Sequence, residues 1–471
     1  MRKLREDRLS LFEELVEEVK YTYEAAGIAI AMVDASGECL YEKCWGYRDA
    51  ENGLAINEQT VFGLASITKS FTCLALMQLA QTGAIQLDDP VSLLIPAFTN
   101  QNQQSVRLWH LMCHSGGFYP LPRILVDQVA QEMGLDEAID GDLAYHEGLA
   151  AYGCKLVAER LDRQTPESGL IGRPGEYLSY CNDGFGLLSE VVRRRGGELS
   201  YAQYVKRHIL EPLGMDRSGC DYVWPQTDPN ASLLYKKVDG VMRATRDYHD
   251  NAFVLCGGGA MKSTLRDMQK YVVQYLNDGV SADGTRVVDG YGVREMIKPR
   301  QSYRFGSWYG YGLSTKAMED FAIVEHGGSL TGVSSNMAWS YELGAGVIVL
   351  CNTSQVPVSI LSDAAMRLLS ERDPLPRRDL HIVCGWEDGL LEAACGVYRS
   401  GEGHMIEIFK DDSGKAALMI GGKCKQMIPI QRTVAIIRNG MQDTPLQLHF
   451  DDDERVFAIR YGGRMIPREP K

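Results

Sequence analysis

The segment Phe62-Gly-Leu-Ala-Ser-Ile-Thr-Lys-Ser-Phe-Thr72 leads from small, turn-tolerant residues directly into a run with helical periodicity. The periodicity continues to Ala80, and Gly83 stands where a helix C-terminus is expected, because glycine readily adopts the left-handed conformation that ends helices. The pattern predicts a helix that begins at Ser66. Residues three apart lie on one face of a helix, so Lys69 is predicted one turn from Ser66 on the same side.

A serine and a lysine at this spacing suit nucleophilic catalysis. A serine hydroxyl is a weak nucleophile until another group takes its proton, and a lysine can take it only as the neutral amine. Lowering a lysine pKa from about 10.4 to about 7 requires roughly 4 kcal/mol of desolvation and positive neighbours. Backbone N–H groups at the helix N-terminus would face an oxyanion formed at Ser66. The segment predicts Ser66 as nucleophile and Lys69 as proton acceptor, although Ser-x-x-Lys also occurs by chance in helices.

The second motif is Tyr180-Cys-Asn182, which follows a loop containing Pro174-Gly175. Two residues apart, the tyrosine and the asparagine can lie on one side of an extended segment. The Tyr180 hydroxyl could shuttle a proton between Ser66, Lys69 and a leaving group, and the Asn182 amide could hold the lysine or a substrate carbonyl. Taken alone, a tyrosine in a loop is more often a packing residue.

The third motif is His326-Gly-Gly328, at the end of a predicted strand, Phe321–Glu325, and continuing into Ser329. Gly327 and Gly328 would let a substrate backbone approach the strand closely. The backbone N–H of Ser329 is the candidate for the second oxyanion donor, opposite that of Ser66. His326 could line the pocket or polarise the substrate, or it could be a histidine satisfied at a strand end.

These motifs, in this order, resemble those of the serine β-lactamase and penicillin-binding-protein family, on its class C β-lactamase, esterase and D-aminopeptidase side. That family is marked by S-x-x-K, then Y-x-N, then K-T-G or H-x-G. The segment Val106–Phe118, the Pro-Leu-Gly-Met turn at 212–215 and the glycine-rich stretch Cys256–Met268 are similar to further segments of the family. The resemblance extends over about residues 20–370.

The resemblance implies an α+β fold in which an antiparallel sheet is flanked by helices, with an all-helical lobe and the active site between the two. The chain itself favours such a sheet, because strand patterns occur early and late and the middle looks mainly helical. Ala29–Asp34 and the segment 39–46 form a predicted hairpin at the start. The late strands are predicted at 321–325, 335–339 and 346–351.

The implied activity is that of an active-site-serine hydrolase that forms an acyl-enzyme with ester, amide or D-amino-acid peptide bonds of a small substrate. His326 stands where β-lactam-processing members carry a lysine that attracts a substrate carboxylate, so cleavage of β-lactams is less favoured. The sequence leaves open an acyltransferase with an alcohol or amine acceptor, a penicillin-binding or β-lactamase activity, and a protein that retains the acyl group as a signal. No metal or organic cofactor is implied.

The sequence predicts two domains, residues 1–375 and 385–471. The candidate boundary is the charged, proline-containing segment 371–378. Beyond it, short alternating runs are separated by turn residues, a pattern typical of a small all-β domain, either a barrel or a sandwich. The family resemblance suggests a lipocalin-like or barrel domain, which could cover the cleft or mediate dimerisation. The predicted strands are Gly396–Arg399, Met405–Phe409, Ala416–Ile420, Val434–Ile437, Leu446–Phe450 and Phe457–Tyr461.

The amino-acid composition of the chain limits the kinds of partner and the location that can be expected for it. The 471 residues include 49 Lys and Arg against 62 Asp and Glu, a net charge of −13 that disfavours nucleic acid as a partner. No stretch is long and apolar enough to span a bilayer. The charged N-terminus has no signal-peptide pattern, and the twelve cysteines are scattered, so a cytoplasmic location is expected. A homo-oligomer is possible.

Two further patterns invite functional interpretations that the sequence does not favour. His110 and His114 have metal-ligand spacing but no accompanying acidic ligand, and Ser115 is not in a G-x-S-x-G nucleophile elbow. The stretch 118–166 is expected to be a solvated helical insertion, with a part in the pocket rim as the alternative. It is rich in acidic residues, namely Asp136, Glu137, Asp140, Asp142 and Glu147.

Overall fold

The computed structural model describes residues 4–99, 105–135, 142–164, 171–375 and 383–470. The helices are α1 (Glu6–Thr22), α2 (Thr68–Gln81), α3 (Val91–Leu94), α4 (Leu108–Met112), α5 (Val126–Glu132), α6 (Glu147–Asp162), α7 (Asn182–Arg195), α8 (Tyr201–Val205), α9 (Trp224–Thr227), α10 (Leu265–Leu276), α11 (Gly290–Ile297), α12 (Val358–Leu369) and α13 (Asp388–Ala394). A π-helical turn, Lys206–Leu210, follows α8. Short 3-10 turns lie at Ala65–Ile67, Leu143–Tyr145, Tyr248–Asn251 and Cys256–Gly258.

The strands that precede the C-terminal domain form one large sheet and two small ones. They are β1 (Gly27–Asp34), β2 (Cys39–Asp49), β3 (Leu54–Ala55), β4 (Phe62–Gly63), β5 (Leu234–Val238), β6 (Val241–Thr245), β7 (Lys262–Ser263), β8 (Gln301–Arg304), β9 (Ser307–Tyr309), β10 (Ser314–Met318), β11 (Phe321–Leu330), β12 (Val333–Ser340) and β13 (Ala345–Cys351). Within the described ranges the large sheet has nine strands in the order β3-β2-β1-β13-β12-β11-β10-β9-β8.

The centre of the large sheet joins the two ends of the domain. The early strand β1 pairs antiparallel with the late strand β13, with Ile28 opposite Cys351 and Asp34 opposite Ala345. The sheet is therefore assembled from early and late strands with helices inserted between them, which confirms the predicted fold class. The predicted strands before residue 352 are present, and β11 extends through the glycines to Leu330.

Helices cover both faces of the sheet. Alternate residues of a strand point to opposite faces, and in β1 Ile30 packs in the cluster formed with α1 and α12, whereas Ala31 packs in the cluster formed with α2 and α10. Because both faces are buried, the central strands consist almost entirely of apolar residues. The 3-10 turn Ala65–Ile67, which directly precedes α2, contacts β11 and β12 of this sheet.

Several short strands were not predicted from the sequence. The middle of the chain is predicted to be mainly helical, but β5 and β6 form a hairpin there, and β8, β9 and β10 form the far edge of the large sheet. All five strands span five residues or fewer, and most of their residues are exposed or half-buried, so they lack the apolar alternation that marks a strand with one buried face.

The C-terminal domain is a nearly closed barrel of eight strands within the described residues. Consecutive strands pair antiparallel, and a bridge between Tyr398 and Arg468 brings the first strand to the last. The long strand at 423–431 and the final strand were not predicted. The proposed domain limits stay predictions, because residues 376–382 lie outside the described ranges. The strands are β14 (Gly396–Arg399), β15 (Met405–Lys410), β16 (Ala416–Ile420), β17 (Lys423–Gln431), β18 (Val434–Asn439), β19 (Gln442–Phe450), β20 (Val456–Tyr461) and β21 (Arg464–Pro467).

The acid-rich insertion is partly described. Asp136, Glu137 and Asp140 lie outside the described residues. The carboxylate of Asp142 accepts hydrogen bonds from the backbone N–H groups of Tyr222 and Val223, at 2.5 and 2.7 Å, so it ties the insertion to the helical lobe. Glu147 pairs with Arg193 at 2.8 Å.

No helix within the described ranges has both the length and the apolar character needed to cross a bilayer.

Candidate active site

Ser66 lies on a tight turn between β4 and α2. Ala65, immediately before it, has a φ of 50°, a left-handed conformation that is uncommon for a residue with a side chain. The turn is held from both sides: the Thr68 hydroxyl donates to the Ala65 carbonyl at 2.6 Å, and the Leu64 N–H donates to the Met261 carbonyl at 2.8 Å. The chain therefore presents Ser66 at the start of the helical segment, as the sequence predicted.

Lys69 is fully buried one turn further on. Its Nζ lies 3.2 Å from the Ser66 Oγ, 2.8 Å from the Asn182 Oδ1 and 2.7 Å from the Gly258 carbonyl oxygen. Burial lowers the pKa of Lys69 to about 7, and the positive charge of Arg464 contributes to the same shift. A large fraction of Lys69 is therefore neutral at neutral pH.

The three neighbours of the Lys69 Nζ define what a neutral amine would do. The Asn182 Oδ1 and the Gly258 oxygen can only accept hydrogen bonds, so each requires an N–H of the lysine. A neutral amine has two N–H groups and one lone pair. Once the two carbonyl oxygens are satisfied, the lone pair is left for the Ser66 O–H. The geometry therefore suits removal of the serine proton by the lysine.

Tyr180 closes the other side of Ser66. Its hydroxyl is near enough to Ser66 for that serine to influence its pKa, and the Lys69 Nζ lies 4.8 Å from the centre of its ring. Burial raises the pKa of Tyr180 well above its usual value, with the neighbouring Tyr303 as the next cause. The phenol is therefore protonated at neutral pH, so it can donate a proton to Ser66 or a leaving group but does not act as a phenolate base.

His326 is buried beside this cluster and does not line the cavity that contains Ser66. Its Nδ1 donates to the Gly327 carbonyl at 2.7 Å, and its Nε2 accepts from the Tyr309 hydroxyl at 2.9 Å. Burial lowers the pKa of His326 to about 3, and the charge of Lys69 adds to the shift. His326 is therefore a neutral histidine that positions Tyr309. This geometry disfavours direct contact between its ring and a substrate.

The two glycines of the third motif have different surroundings. A Cβ on Gly328 would lie 2.1 Å from the Leu64 carbonyl oxygen and 2.3 Å from the Ser335 Oγ, so β11 can approach the Ser66 turn only without a side chain there. A Cβ on Gly327 would meet nothing closer than 3.4 Å. Ser329 lines the same cavity as Ser66, which is the placement that its predicted oxyanion role requires.

The cavity in front of Ser66 has a volume of about 230 Å³. That size suits a small substrate, because it lies just below the usual range for ligand pockets. Several of its lining residues had no predicted role. They are Arg123 from the insertion, Phe253 and Gly258 from the helical lobe, Leu330 from β11, and Glu402, His404 and Arg464 from the barrel.

The barrel residues were missed because nothing in their local sequence distinguishes them. Glu402 and His404 lie in the loop between β14 and β15, and Arg464 begins β21. The turn before β21 is joined to the segment of the second motif, because the Tyr180 N–H donates to the Gly463 carbonyl at 2.9 Å. This contact favours the predicted alternative in which the C-terminal domain covers the cleft.

The hydrogen bond from the Lys69 Nζ to the Gly258 carbonyl was also not predicted from the sequence. The glycine-rich stretch at 256–260 was noted for its resemblance to a family segment, but a backbone carbonyl has no side-chain signature. Position 257 requires glycine, because a Cβ there would lie 2.4 Å from the Phe185 carbonyl oxygen.

The His110, His114 and Ser115 side chains lie outside the cavity lining. The His110 Nδ1 accepts from the Arg107 N–H at 2.9 Å and caps the first turn of α4. The His114 Nδ1 accepts from the Cys181 N–H at 3.1 Å, and its ring packs 4.1 Å from that of Tyr180. Ser115 is buried. His114 therefore supports the position of Tyr180.

The three motifs lie within a segment that matches a known family. Residues 11–370 match the family model described as Beta-lactamase. The chain belongs to the beta-lactamase family. The resemblance inferred from the three motifs is confirmed by this match.

Individual relatives of this beta-lactamase family member are distant. It is 28% identical over 259 residues to the putative penicillin-binding protein PbpX of Bacillus subtilis, covering 55% of this chain and 57% of that protein. It is 30% identical over 196 residues to the esterase EstB of Burkholderia gladioli, covering 41% and 46% of the two chains. The chain spans about half the length of these curated relatives.

A solved structure resembles the beta-lactamase family member over nearly its full length. The octameric penicillin-binding protein homologue from Pyrococcus abyssi is 25% identical, with a TM-score of 0.66, and the match covers 97% of this chain and 99% of that one. The similarity therefore extends beyond the matched family segment into the C-terminal barrel.

Proposed function

We propose that the chain is an active-site-serine hydrolase that cleaves ester, amide or D-amino-acid peptide bonds of a small substrate through an acyl-enzyme. The observation that carries this proposal is the arrangement around the Lys69 Nζ, which leaves one position for the Ser66 hydroxyl after two carbonyl oxygens have been satisfied. The family membership and the esterase among the relatives support the same reaction class.

In the first half of the proposed reaction, the neutral Lys69 takes the Ser66 proton while the Oγ attacks the substrate carbonyl carbon. The carbonyl π electrons move to the oxygen, where the backbone N–H groups of Ser66 and Ser329 are the proposed oxyanion donors. The tetrahedral intermediate collapses and its bond to the leaving group breaks. Tyr180 donates its proton to that group and is reprotonated by the Lys69 ammonium.

In the second half, water attacks the acyl-enzyme carbonyl and gives up a proton through Tyr180 to Lys69. The ester bond to the Ser66 Oγ then breaks, the Lys69 ammonium returns its proton to the serine oxygen, and the acid product leaves. Asn182 holds Lys69 in place throughout, since its Oδ1 accepts from the Nζ. His326 acts as a positioning residue behind Tyr309.

A fluorophosphonate tests the nucleophile directly. Because Ser66 is the hydroxyl facing Lys69, wild-type protein is expected to gain the mass of one adduct, and Ser66→Ala none. Intact-protein mass spectrometry measures both, and turnover of short-chain p-nitrophenyl esters is expected to disappear in the same variant. Ser115→Ala is the matched control, since Ser115 is a buried serine outside the cavity. Labelling of Ser66→Ala, or none in folded wild type, would contradict the proposal.

The pH dependence of ester cleavage is expected to report on Lys69. Because the neutral amine is the active form and its pKa is lowered to about 7, kcat/KM should rise with pH through about 7 and level off above it. Burial depresses the pKa values of His114 and His326, so neither should add an inflection between pH 5 and 9. Stopped-flow measurement with a p-nitrophenyl ester gives the profile. A flat profile would exclude Lys69 as the base, and a rise centred near 10, the ordinary value for lysine, would contradict its lowered pKa.

We also propose a reducing compartment, the cytoplasm, because all twelve cysteines are free thiols and seven are buried, namely Cys73, Cys113, Cys154, Cys181, Cys220, Cys256 and Cys351. A small ester, amide or peptide is the proposed partner. Self-association stays a prediction.

A further inference from the structure

Two loops of the C-terminal barrel complete the cavity in front of Ser66. The loop between β14 and β15 contributes Glu402, and the turn before β21 contributes Arg464. The turn is tied down at two backbone positions, because the Met465 N–H donates to the Ser179 Oγ at 3.1 Å and the Gly463 carbonyl accepts from Tyr180. Arg464 is therefore held in place beside the catalytic tyrosine, with its guanidinium carbon 5.1 Å from the centre of the Tyr180 ring.

Glu402 occupies only part of the Arg464 guanidinium. The Nε and one terminal nitrogen of Arg464 donate to the Glu402 carboxylate. Within the described part of the chain, the other terminal nitrogen, Nη1, has no acceptor. Guanidinium N–H groups match the geometry of a carboxylate, so Arg464 can bind a second carboxylate while it retains the first.

The remaining charges of the cavity also favour an anion. Arg123 stands at the rim with its guanidinium carbon 5.9 Å from the Phe253 ring centre, and among the described residues it has no acidic partner. The Arg464–Glu402 pair is neutral overall, so the positive charge without an acidic partner is that of Arg123, and an ammonium group entering the cavity would meet it. The cavity is thus locally cationic in a chain whose net charge is −13.

We propose that the substrate carries a carboxylate, which Arg464 binds inside the cavity and Arg123 attracts at its rim. This inference rests on the proposed hydrolase function and names its substrate class. The carboxylate anchor that the third motif lacks, because His326 stands in place of lysine, is supplied from the barrel. Substrates with a free amine at this position should be disfavoured.

Two matched pairs of esters test the proposal. One pair places the carboxylate on the acyl side, mono-p-nitrophenyl adipate against its methyl ester. The other places it on the leaving group, p-acetoxybenzoate against its methyl ester. Wild type is expected to prefer the acid in at least one pair by about tenfold or more in kcat/KM, because charge-assisted hydrogen bonds are the strong ones. Arg464→Gln is expected to abolish that preference.

Arg399→Gln is the matched control, because Arg399 is a barrel arginine paired with Glu469 away from the cavity. It should retain the preference. Because Arg464→Gln leaves Glu402 without its partner, the double variant Glu402→Gln/Arg464→Gln is measured beside it, and thermal unfolding checks that each variant is folded. If wild type turns over the methyl esters through Ser66 as fast as both acids, the carboxylate site is wrong and the hydrolase proposal stands.

Binding separates the two proposals when nothing is turned over. In Ser66→Ala, calorimetry with mono-p-nitrophenyl adipate and with its methyl ester is expected to show about tenfold tighter binding of the acid, lost when Arg464→Gln is added. That result supports the carboxylate site even if the hydrolase proposal fails. Equal binding of the acid and the ester overturns the carboxylate site.

Discussion

Replacing Lys69 by methionine is expected to slow acylation of Ser66 by about a thousandfold, because positioned general bases contribute roughly 10²–10⁴ in rate. The methionine side chain is similar in length to that of lysine and, being apolar, is suited to a buried position. The variant therefore removes the proton acceptor without leaving a cavity in the buried site. The second-order rate of fluorophosphonate labelling, followed by intact-protein mass, measures the step without dependence on the unknown substrate.

The control for this variant is Lys262→Met. Lys262 is a second buried lysine, its Nζ donates to the Cys220 carbonyl at 3.0 Å, and burial lowers its pKa to about 8. It does not line the cavity of Ser66. We expect Lys262→Met to label at nearly the wild-type rate, provided that its unfolding transition shows a folded protein. If the two variants lose reactivity equally, or if Lys69→Met stays within tenfold of wild type, then Lys69 is not the base.

Gly328→Ala is expected to lower the free energy of unfolding by about 3 kcal/mol, the upper end of what inserting one methyl group into a packed core usually costs. The methyl group would overlap the Leu64 carbonyl oxygen at 2.1 Å, and a backbone atom cannot move aside as a side-chain end can. Any relief must shift β11 or the Ser66 turn, so labelling of Ser66 should also slow. Urea denaturation followed by tryptophan fluorescence measures the change in stability.

Gly327→Ala tests whether the loss of stability in Gly328→Ala comes from the close approach of β11 to the Ser66 turn. The two glycines are adjacent in one strand, but an added Cβ at Gly327 would make only ordinary contacts, at 3.4 Å or more. Its unfolding free energy should stay within about 0.5 kcal/mol of wild type, as for other substitutions that create no clash. Equal effects of the two substitutions would show that the close packing of β11 on the Ser66 turn is not what position 328 requires.

Much of the fold could be predicted because the decisive signals are local. The offset between Ser66 and Lys69 is one helical turn, a distance set by backbone geometry alone. The central strands β1 and β13 are apolar along their length, since helices bury both faces of the sheet. The barrel was visible as short alternating runs between turns. The strands β8 to β10 were missed because they are short, polar and held mainly by backbone hydrogen bonds to neighbours.

The active site was likewise predictable only in part: its motif residues could be identified from the sequence, but some of their contacts could not. The motifs identified Ser66, Lys69, Tyr180 and Asn182, and the structure brings them into one cluster; their catalytic roles stay predictions. His326 was placed near them by its motif, but the choice between contacting the substrate and supporting Tyr309 depends on which side chains surround it. That information comes from strands β9 and β11 packing together, not from the residues next to His326 in the chain.

By itself, the sequence determined the family, the sheet built from both ends of the domain, and the serine and lysine one helical turn apart. These features follow from spacing and periodicity, which are properties of neighbouring residues. Only the tertiary structure decided that the Gly258 carbonyl accepts a hydrogen bond from Lys69, and that Glu402 and Arg464 enter the cavity from the barrel. The physical reason is that such contacts join residues far apart in the chain: Gly258 meets Lys69 through packing within the first domain, and Glu402 and Arg464 enter because the barrel packs against that domain.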